Sequence, residues 1–320
     1  MRVENAPPGQ PPAEGMNWVP GGRFTMGSND HYPEEAPAHD VRVEGFWMDA
    51  TPVTNAQFQT FVDETDYVTV AERDPDSADY PEADPELLVA GSAVFTPPSE
   101  PVPLQDPSQW WQYVPGACWR HPEGPESDIT DRLDHPVVHV TFKDAQRYAR
   151  WAGKRLPTEV QHERASRGGL DGATYAWGDE FTPDGNHMAN TWQGLFPWEN
   201  LAEDEYVGTS PVGSFPANGY GLYDTIGNVW EWTDDWFQPR HPDEATSPCC
   251  APKNPRGGTK AGSVDPRDAA QVPRKVLKGG SHLCAPNYCR RYRPAARYPE
   301  PVDTSTNHVG FRCIVTGGGE

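Results

Sequence analysis

Gly221-Leu222-Tyr223-Asp224-Thr225-Ile226-Gly227-Asn228-Val229-Trp230-Glu231-Trp232 is the stretch on which the reading of the fold turns. It follows neither the period of a helix nor the alternation of a strand. From about residue 170 to 273, Gly, Pro, Asn and Trp recur in the same irregular way. This region therefore reads as ordered loop whose backbone polar groups are satisfied outside regular ladders. Asp224 and Glu231 supply hard oxygens, with a Gly turn between them that can aim carbonyls inward, as a Ca²⁺ site requires; a hydrogen-bonded turn is the plainer alternative. The same two readings apply to Asn190-Thr191-Trp192 and, after an acidic loop, Asp204-Glu205-Tyr206.

Outward from this stretch, the 320 residues hold 30 Gly and 36 Pro, a share that argues against a helical bundle. With 36% hydrophobic and 11% aromatic residues the chain has enough large rings to pack an interior, which excludes disorder. A net charge of −21 repels phosphate backbones and attracts basic peptides, so nucleic acid is excluded as a partner. No apolar run is long enough to span a membrane, and the N-terminus lacks the basic and apolar regions of a secretion signal. Six cysteines are too few for a disulfide scaffold, so the expectation is a soluble, cytoplasmic monomer with reduced thiols.

The coarse organisation is a single mixed α+β domain with little regular secondary structure over residues 15–316, between a disordered lead-in (1–14) and a short tail (317–320). Alternating Val41 and Val43, then Phe46-Trp47-Met48, predict strands. Three capping boxes, Thr54 with Gln57, Thr141 with Asp144 and Thr158 with Gln161, predict helices. The second carries Ala145, Tyr148, Ala149 and Ala152 on one face and stops at Gly153. Residues 66–134, acidic and Pro-rich, read as a long surface excursion around Trp110, Trp111 and Tyr113. Strand pattern returns at Lys275–Lys278 and in the alternation of Phe311, Cys313 and Val315.

The most informative chemical feature is Ser281-His282-Leu283-Cys284-Ala285-Pro286-Asn287-Tyr288-Cys289-Arg290-Arg291-Tyr292-Arg293. The cysteine spacing does not match structural zinc, whereas two thiolates alone suit a soft ion of low coordination number such as Cu(I). Ordinary buried cysteines, or a bridge across a small loop, are the alternatives. Arg290, Arg291 and Arg293 would favour the thiolate form. Residues 274–297 hold seven basic side chains and no acid; either the stretch is special or its cations pair with the acid-rich remainder. His135 and His139 fall in a strand-like run that would hold them about 13 Å apart, too far for one ion, and are read as structural. Trp230, Trp232 and Trp236 read as core, and vicinal Cys249-Cys250 as incidental.

Taken together, GGRFTMGS (21–28), TPVTNAQF (51–58), HPVVHVTFKDAQRYARWAGKRLPTE (135–159), ANTWQGLFP (189–197), NGYGLYDTIGNVWEWTDDW (218–236), GGSHLC (279–284) and HVGFRC (308–313) resemble the formylglycine-generating enzymes, the sulfatase-modifying factor family, of the bacterial cytoplasmic type. The resemblance covers about Gly15 to Val315. The WEWT and GFR signatures, shared by many families, imply only a C-type-lectin-like fold. The two-cysteine spacing is the narrower signal and implies a copper-dependent oxidase that uses O₂. Such enzymes convert the cysteine of a Cys-x-Pro-x-Arg sequence in an unfolded sulfatase into Cα-formylglycine, through a thioaldehyde that hydrolyses.

Carried over by resemblance, Cys284 and Cys289 would hold Cu(I), Ser281 would stand beside the reacting centre, and Trp230, Tyr288 and Asn307 would line the substrate pocket. Two structural calcium sites are implied as well. Asn190 and Asp204 with the carbonyls of Thr191 and Tyr206 would form one; Asp224 and Glu231 with the carbonyls of Gly227 and Val229 the other. The chain departs from secreted animal members, for Ala149, Ser166 and Pro294 stand where those have disulfide cysteines and Cys313 is left alone, which agrees with a reducing compartment. Two other readings compete. A non-catalytic lectin-like binding module would have no use for two thiols with cationic neighbours, and an iron-dependent sulfoxide synthase relative would need a His triad that is not evident.

Overall fold

The computed structural model describes residues 6–78, 88–242, 251–268 and 270–316. Helices begin where a threonine can accept the first free amides. Thr54 caps α1 (Asn55–Thr65): its hydroxyl accepts from the Gln57 amide, and the Gln57 side chain accepts from the Thr54 amide. Thr141 with Asp144 opens α2 (Phe142–Trp151) in the same way, and Thr158 with Gln161 opens α3 (Glu159–Ser166). α1 and α2 bring Tyr148 within 5.9 Å of Phe58 and 5.6 Å of Phe61, over Phe311 and Trp119 in the largest apolar core.

Four small sheets carry the rest of the regular structure among the described residues. β1 (Met16–Val19) and β11 (Ile314–Thr316) flank β4 (Phe46–Asp49), both antiparallel to it. β2 (Gly22–Met26) pairs with β3 (His39–Val43), burying Phe24, Met26, Val41 and Val43 on one face. β5 (Gly91–Phe95) pairs with β6 (Trp111–Pro115). β7 (Trp230–Trp236), β8 (Arg274–Lys278) and β9 (Arg297–Pro301) form an antiparallel ribbon, and β10 (Val309–Gly310) adds in parallel to the free edge of β7. The result is an α+β domain with little regular secondary structure, as the sequence implies.

One buried side chain takes two carbonyls of the irregular stretch before β7, and Asn17, Asn218 and His282 take others. Arg312 Nη2 donates to the carbonyls of Tyr223 (2.7 Å) and Asp224 (2.9 Å), and Nη1 to those of Asp49 and Ala50 (3.3 Å each). Its Nε and Nη2 also grip the Glu231 carboxylate at 2.8 Å to 3.0 Å. Gly227 is required where this stretch meets residue 190. Its φ is 79°, and a Cβ there would lie 2.4 Å from the Asn190 carbonyl oxygen.

Three expectations need correction. Residues 66–134 are not only a surface excursion: Trp110 and Trp119 are fully buried, Trp110 in a second core with Trp192, Phe196, Leu283 and Ala285, and only Tyr113 of the expected anchors is well exposed. The run Val137–Val140 is not a strand. All its residues are buried, and His139 has φ 57°, with its ring bonded to Ser92 Oγ (2.6 Å) and the Pro122 carbonyl (2.8 Å). The left-handed backbone at His139 interrupts the run, so no extended ladder crosses it. Phe311, Arg312 and Cys313 likewise precede β11 and are buried together. Residues 1–5 and 317–320, and Cys249 and Cys250, lie outside the described residues.

Candidate active site around Cys284 and Cys289

β8 runs out into Gly279-Gly280, where φ values of 93° and 76° turn the chain sharply. A Cβ on Gly280 would stand 2.8 Å from the Arg291 carbonyl oxygen, so only glycine lets the turn lie against residues 291–292. The Cys284 amide then donates to the Ser281 carbonyl and the Cys289 amide to the Ala285 carbonyl, each at 2.9 Å. These two bonds fold the segment back and bring the Cys284 and Cys289 sulfurs to 3.3 Å, both as free cysteines. Cys284 faces the core and is buried; Cys289 is partly exposed.

The surroundings give the two thiols opposed acidities. Burial, and then the neighbouring Cys289, push Cys284 well above the ordinary thiol value. The Cys284 hydrogen bond draws Cys289 downward and, against the opposing effect of burial, the Arg291 charge draws it further. Arg291 Nη1 lies 3.8 Å from Cys289 Sγ, while Nη2 holds Glu34 at 2.6 Å and the guanidinium covers the Tyr32 ring at 3.8 Å. Arg290 and Arg293 take no such part. Arg293 is buried in a pair with Glu35, and Arg290 bonds the side chains of Tyr175 and Tyr292.

Of the residues expected in the pocket, Ser281 is buried within the same turn. Its Oγ accepts from the Leu283 amide (3.2 Å), and its own amide lies 3.5 Å from Cys284 Sγ. Tyr288 is exposed at the rim, stacked on Phe196 at 4.5 Å and edge-on to Trp110 at 5.7 Å. Trp230 is nearly buried, 5.9 Å from the Tyr298 ring, which in turn lies 5.2 Å from the Arg291 guanidinium. Asn307 sits farther round: its Oδ1 accepts from the Phe95 amide (3.1 Å), and Phe95 stacks on the Phe196 that supports Tyr288.

Sequence reasoning missed Tyr32, Glu34 and Tyr298, which enclose Arg291. The signal for Glu34 and Glu35 was the charge imbalance of residues 274–297, because six of its seven cations do pair with acids: Arg274 with Asp265, Lys275 with Asp234, Lys278 with Glu163, Arg291 with Glu34, Arg293 with Glu35 and Arg297 with Glu159. The stretch is basic because its partners lie elsewhere in the chain.

The two oxygen-donor sets differ in fitness for a hard cation. Asn190 Oδ1 is buried with no partner, its Nδ2 donates to the Gly208 carbonyl (2.9 Å), and the buried Asp204 carboxylate accepts from the amides of Thr191 (3.2 Å) and Tyr206 (3.1 Å). An orphaned amide oxygen next in sequence to Thr191, whose amide the enclosed Asp204 carboxylate meets, fits calcium, although Gln193 Nε2 also donates to Asp204 at 2.7 Å and to the Thr191 carbonyl. In the second set Asp224 is enclosed, and burial raises its carboxyl to about 6. Glu231, however, is engaged by Arg312 and by His162 Nε2 (2.9 Å), so this set fits only through Asp224 and the backbone. The sets touch, as the Asn228 amide donates to the Asn190 carbonyl at 2.9 Å. Among the described residues no cluster of three His, Cys, Asp or Glu forms a metal site, so carbonyls would have to complete either set.

The loop-built α+β domain and the homologues that it matches define the class, an oxidoreductase. The chain belongs to the sulfatase-modifying factor family of formylglycine-generating enzymes. The model of the sulfatase-modifying factor enzyme 1-like domain matches residues 3–316. A formylglycine-generating enzyme of Mycobacterium tuberculosis is 57% identical over 297 residues, 92% of this chain and 96% of that protein. One from Streptomyces coelicolor is 48% identical over 92% of this chain and 87% of its own. The solved structure of PvdO from Pseudomonas aeruginosa matches in fold, with a TM-score of 0.61 at 23% identity over 94% of each chain.

Proposed function

We propose that residues 15–316 form a catalytic domain that oxidises the cysteine of a Cys-x-Pro-x-Arg segment in an unfolded sulfatase to Cα-formylglycine, with O₂ as co-substrate and Cu(I) held by Cys284 and Cys289. The 3.3 Å approach of two free sulfurs carries this reading. Soft sulfur donors select Cu(I), and a two-thiolate site leaves room for a third sulfur. When bound, the copper would supply the redox centre at which a substrate thiolate and O₂ meet.

The chain's own residues supply the rest. Arg291 favours the thiolate of Cys289, and burial of Cys284 keeps water from the inner side of the pair. Tyr288, backed by Phe196 and Trp110, offers a flat aromatic surface against which the proline of an extended peptide can lie. Ser281 lies in the turn that contacts Cys284, where its hydroxyl can orient a polar group of the reacting residue. Trp230 and Asn307 close the pocket farther out, and the net charge of −21 draws in the substrate arginine.

Asn190, Asp204 and the carbonyls of Thr191 and Tyr206 are assigned to a structural calcium ion, and Asp224 with the carbonyls of Gly227 and Val229 to a second. Such ions would pin loops that no ladder holds. Free Cys118, Cys284, Cys289 and Cys313 support a reducing, cytoplasmic compartment.

The test is conversion of a Cys-x-Pro-x-Arg peptide to the aldehyde by protein loaded with one equivalent of Cu(I), read by mass spectrometry. Turnover is lost in Cys284→Ala and in Cys289→Ala; retention in either overturns the mechanism. Calcium chelation lowers the thermal midpoint of the wild type by more than that of Asp204→Asn, which keeps only the Asp224 site.

A further inference from the structure

Away from the paired thiols, a cavity of about 270 Å³ lies between the β2–β3 ribbon, the start of α3 and the segments at 235–242 and 252–257. Met26, His39 and His241 line it together with Val160 and Pro252. Met26 and His39 are directly opposite in the β2–β3 register and both buried, so their side chains leave the ribbon on the same face. His241 is placed by its amide, which donates to the Ala36 carbonyl at 3.0 Å, and its ring centroid is 4.8 Å from that of His39. Two imidazoles bound to one ion at about 2.0 Å have centroids roughly 5 Å apart, which this pair matches.

The ring nitrogens are arranged for the same purpose. His39 Nδ1 lies 2.8 Å from the Pro37 carbonyl oxygen, which can only accept, so Nδ1 is the donor there and Nε2 is the nitrogen left to meet a ligand. Donation of the second ring N–H to a carbonyl is the usual support of a metal-binding histidine. His241 Nε2 is enclosed and has no hydrogen-bond partner among the described residues.

The charges around the cavity select the ion. Glu159 is paired with Arg297 at 2.7 Å and Asp235 with Arg256 at 2.6 Å, so these acids offer no uncompensated charge to a divalent cation. A thioether and two imidazoles suit a soft monovalent ion instead. We propose that Met26, His39 and His241 form a second Cu(I) site, distinct from Cys284 and Cys289 and independent of what those thiols do.

The test uses the full chain with Cys284→Ala, Cys289→Ala, Cys249→Ser and Cys250→Ser, titrated with Cu(I) in the absence of air against a chromophoric Cu(I) chelator. One equivalent remains bound, and X-ray absorption shows nitrogen scatterers with a single sulfur. Met26→Leu, which keeps the side-chain volume, and His39→Gln each weaken binding about tenfold or more, with circular dichroism showing both variants folded. No bound equivalent, or an affinity unchanged by both substitutions, overturns the proposal. Failure of the paired-thiol reading shows separately, as wild type and Cys284→Ala/Cys289→Ala protein taking up the same number of ions.

Discussion

Two sulfurs 3.3 Å apart cannot ionise independently, because a charge on one is stabilised by the S–H of the other and opposes a second charge beside it. Burial settles which one stays protonated. Cys284 lies on the core side and remains a thiol, and Cys289 takes the thiolate with Arg291 beside it. In metal-free protein, alkylation of Cys289 by iodoacetamide should therefore proceed at a lower pH than for an ordinary thiol. Cys284→Ala, which removes the stronger influence, moves that pH profile upward most, and Arg291→Met moves it upward less. Profiles unchanged in both variants, followed by peptide mass spectrometry, would refute the assignment. The cysteine spacing and its cationic setting were legible in the sequence. The selection of Arg291 from three arginines was not, because Glu34 and Glu35, which fix Arg291 and Arg293, come from a distant segment.

Helix starts were the most legible elements, since a capping box is local chemistry that needs no tertiary contact to be recognised. The α2 box is also buried, with the Thr141 and Asp144 side chains bonded at 2.7 Å and the Tyr67 hydroxyl donating to Asp144 at 2.8 Å. Thr141→Ala should cost about 1–2 kcal/mol, read from the urea midpoint, and the partly exposed Thr54→Ala toward the lower end. Strands fared worse wherever burial was complete: Val137–Val140 looks apolar and β-branched, yet its backbone bonds go to loops. Packing between elements was not legible at all. Glu163 on α3 takes Lys278 of β8 at 2.9 Å, Arg167 at the end of its own helix at 2.7 Å and the Gly27 amide at 2.8 Å, a convergence of three separate segments.

Burial alone would raise the Glu163 carboxyl, but Lys278 and then Arg167 overcome it and bring the group down to about 2. An unfolded glutamate titrates near 4.5, so the unfolded chain binds the extra proton in the window between. The contribution of this group, about 3 kcal/mol, is complete above roughly pH 4.5 and is lost as the pH falls toward 2. Glu163→Gln should be less stable at neutral pH and should lose less stability than wild type across that acid window. Thermal midpoints measured from about pH 5 downward would show the two curves converging. Parallel curves would sink the assignment.

At the scale of the whole molecule, one guanidinium ties together β4, the stretch before β7 and the approach to β11. Arg312 grips Glu231 in two places and four carbonyls besides, all in buried surroundings. Arg312→Met removes both the charge and the planar fork from Glu231, and removing a partner from a buried pair costs about 3–5 kcal/mol. A fall in the denaturation midpoint of that size is expected even though the substitution touches neither cysteine. The Gly and Pro content signalled a loop-built interior. That one arginine would take carbonyls from two segments could not be inferred from composition, because it lies in a motif whose neighbours are read only as apolar.

The sheet that holds β1, β4 and β11 has a consequence for synthesis of the chain. Thr316 is the partner of Phe46, so a ribosome has made almost all of the domain before β4 gains its second neighbour. The amides and carbonyls on that side of β4 stay open until β11 has been made, as do the carbonyls that await Arg312. Cys284 and Cys289 emerge during the same interval, before the core that shields Cys284 can close. A nascent chain halted before residue 312 should be digested readily by protease in a cell-free translation, and one released after residue 316 should resist. Shielding of the thiol pair is thereby expected only once the polypeptide has been read through β11.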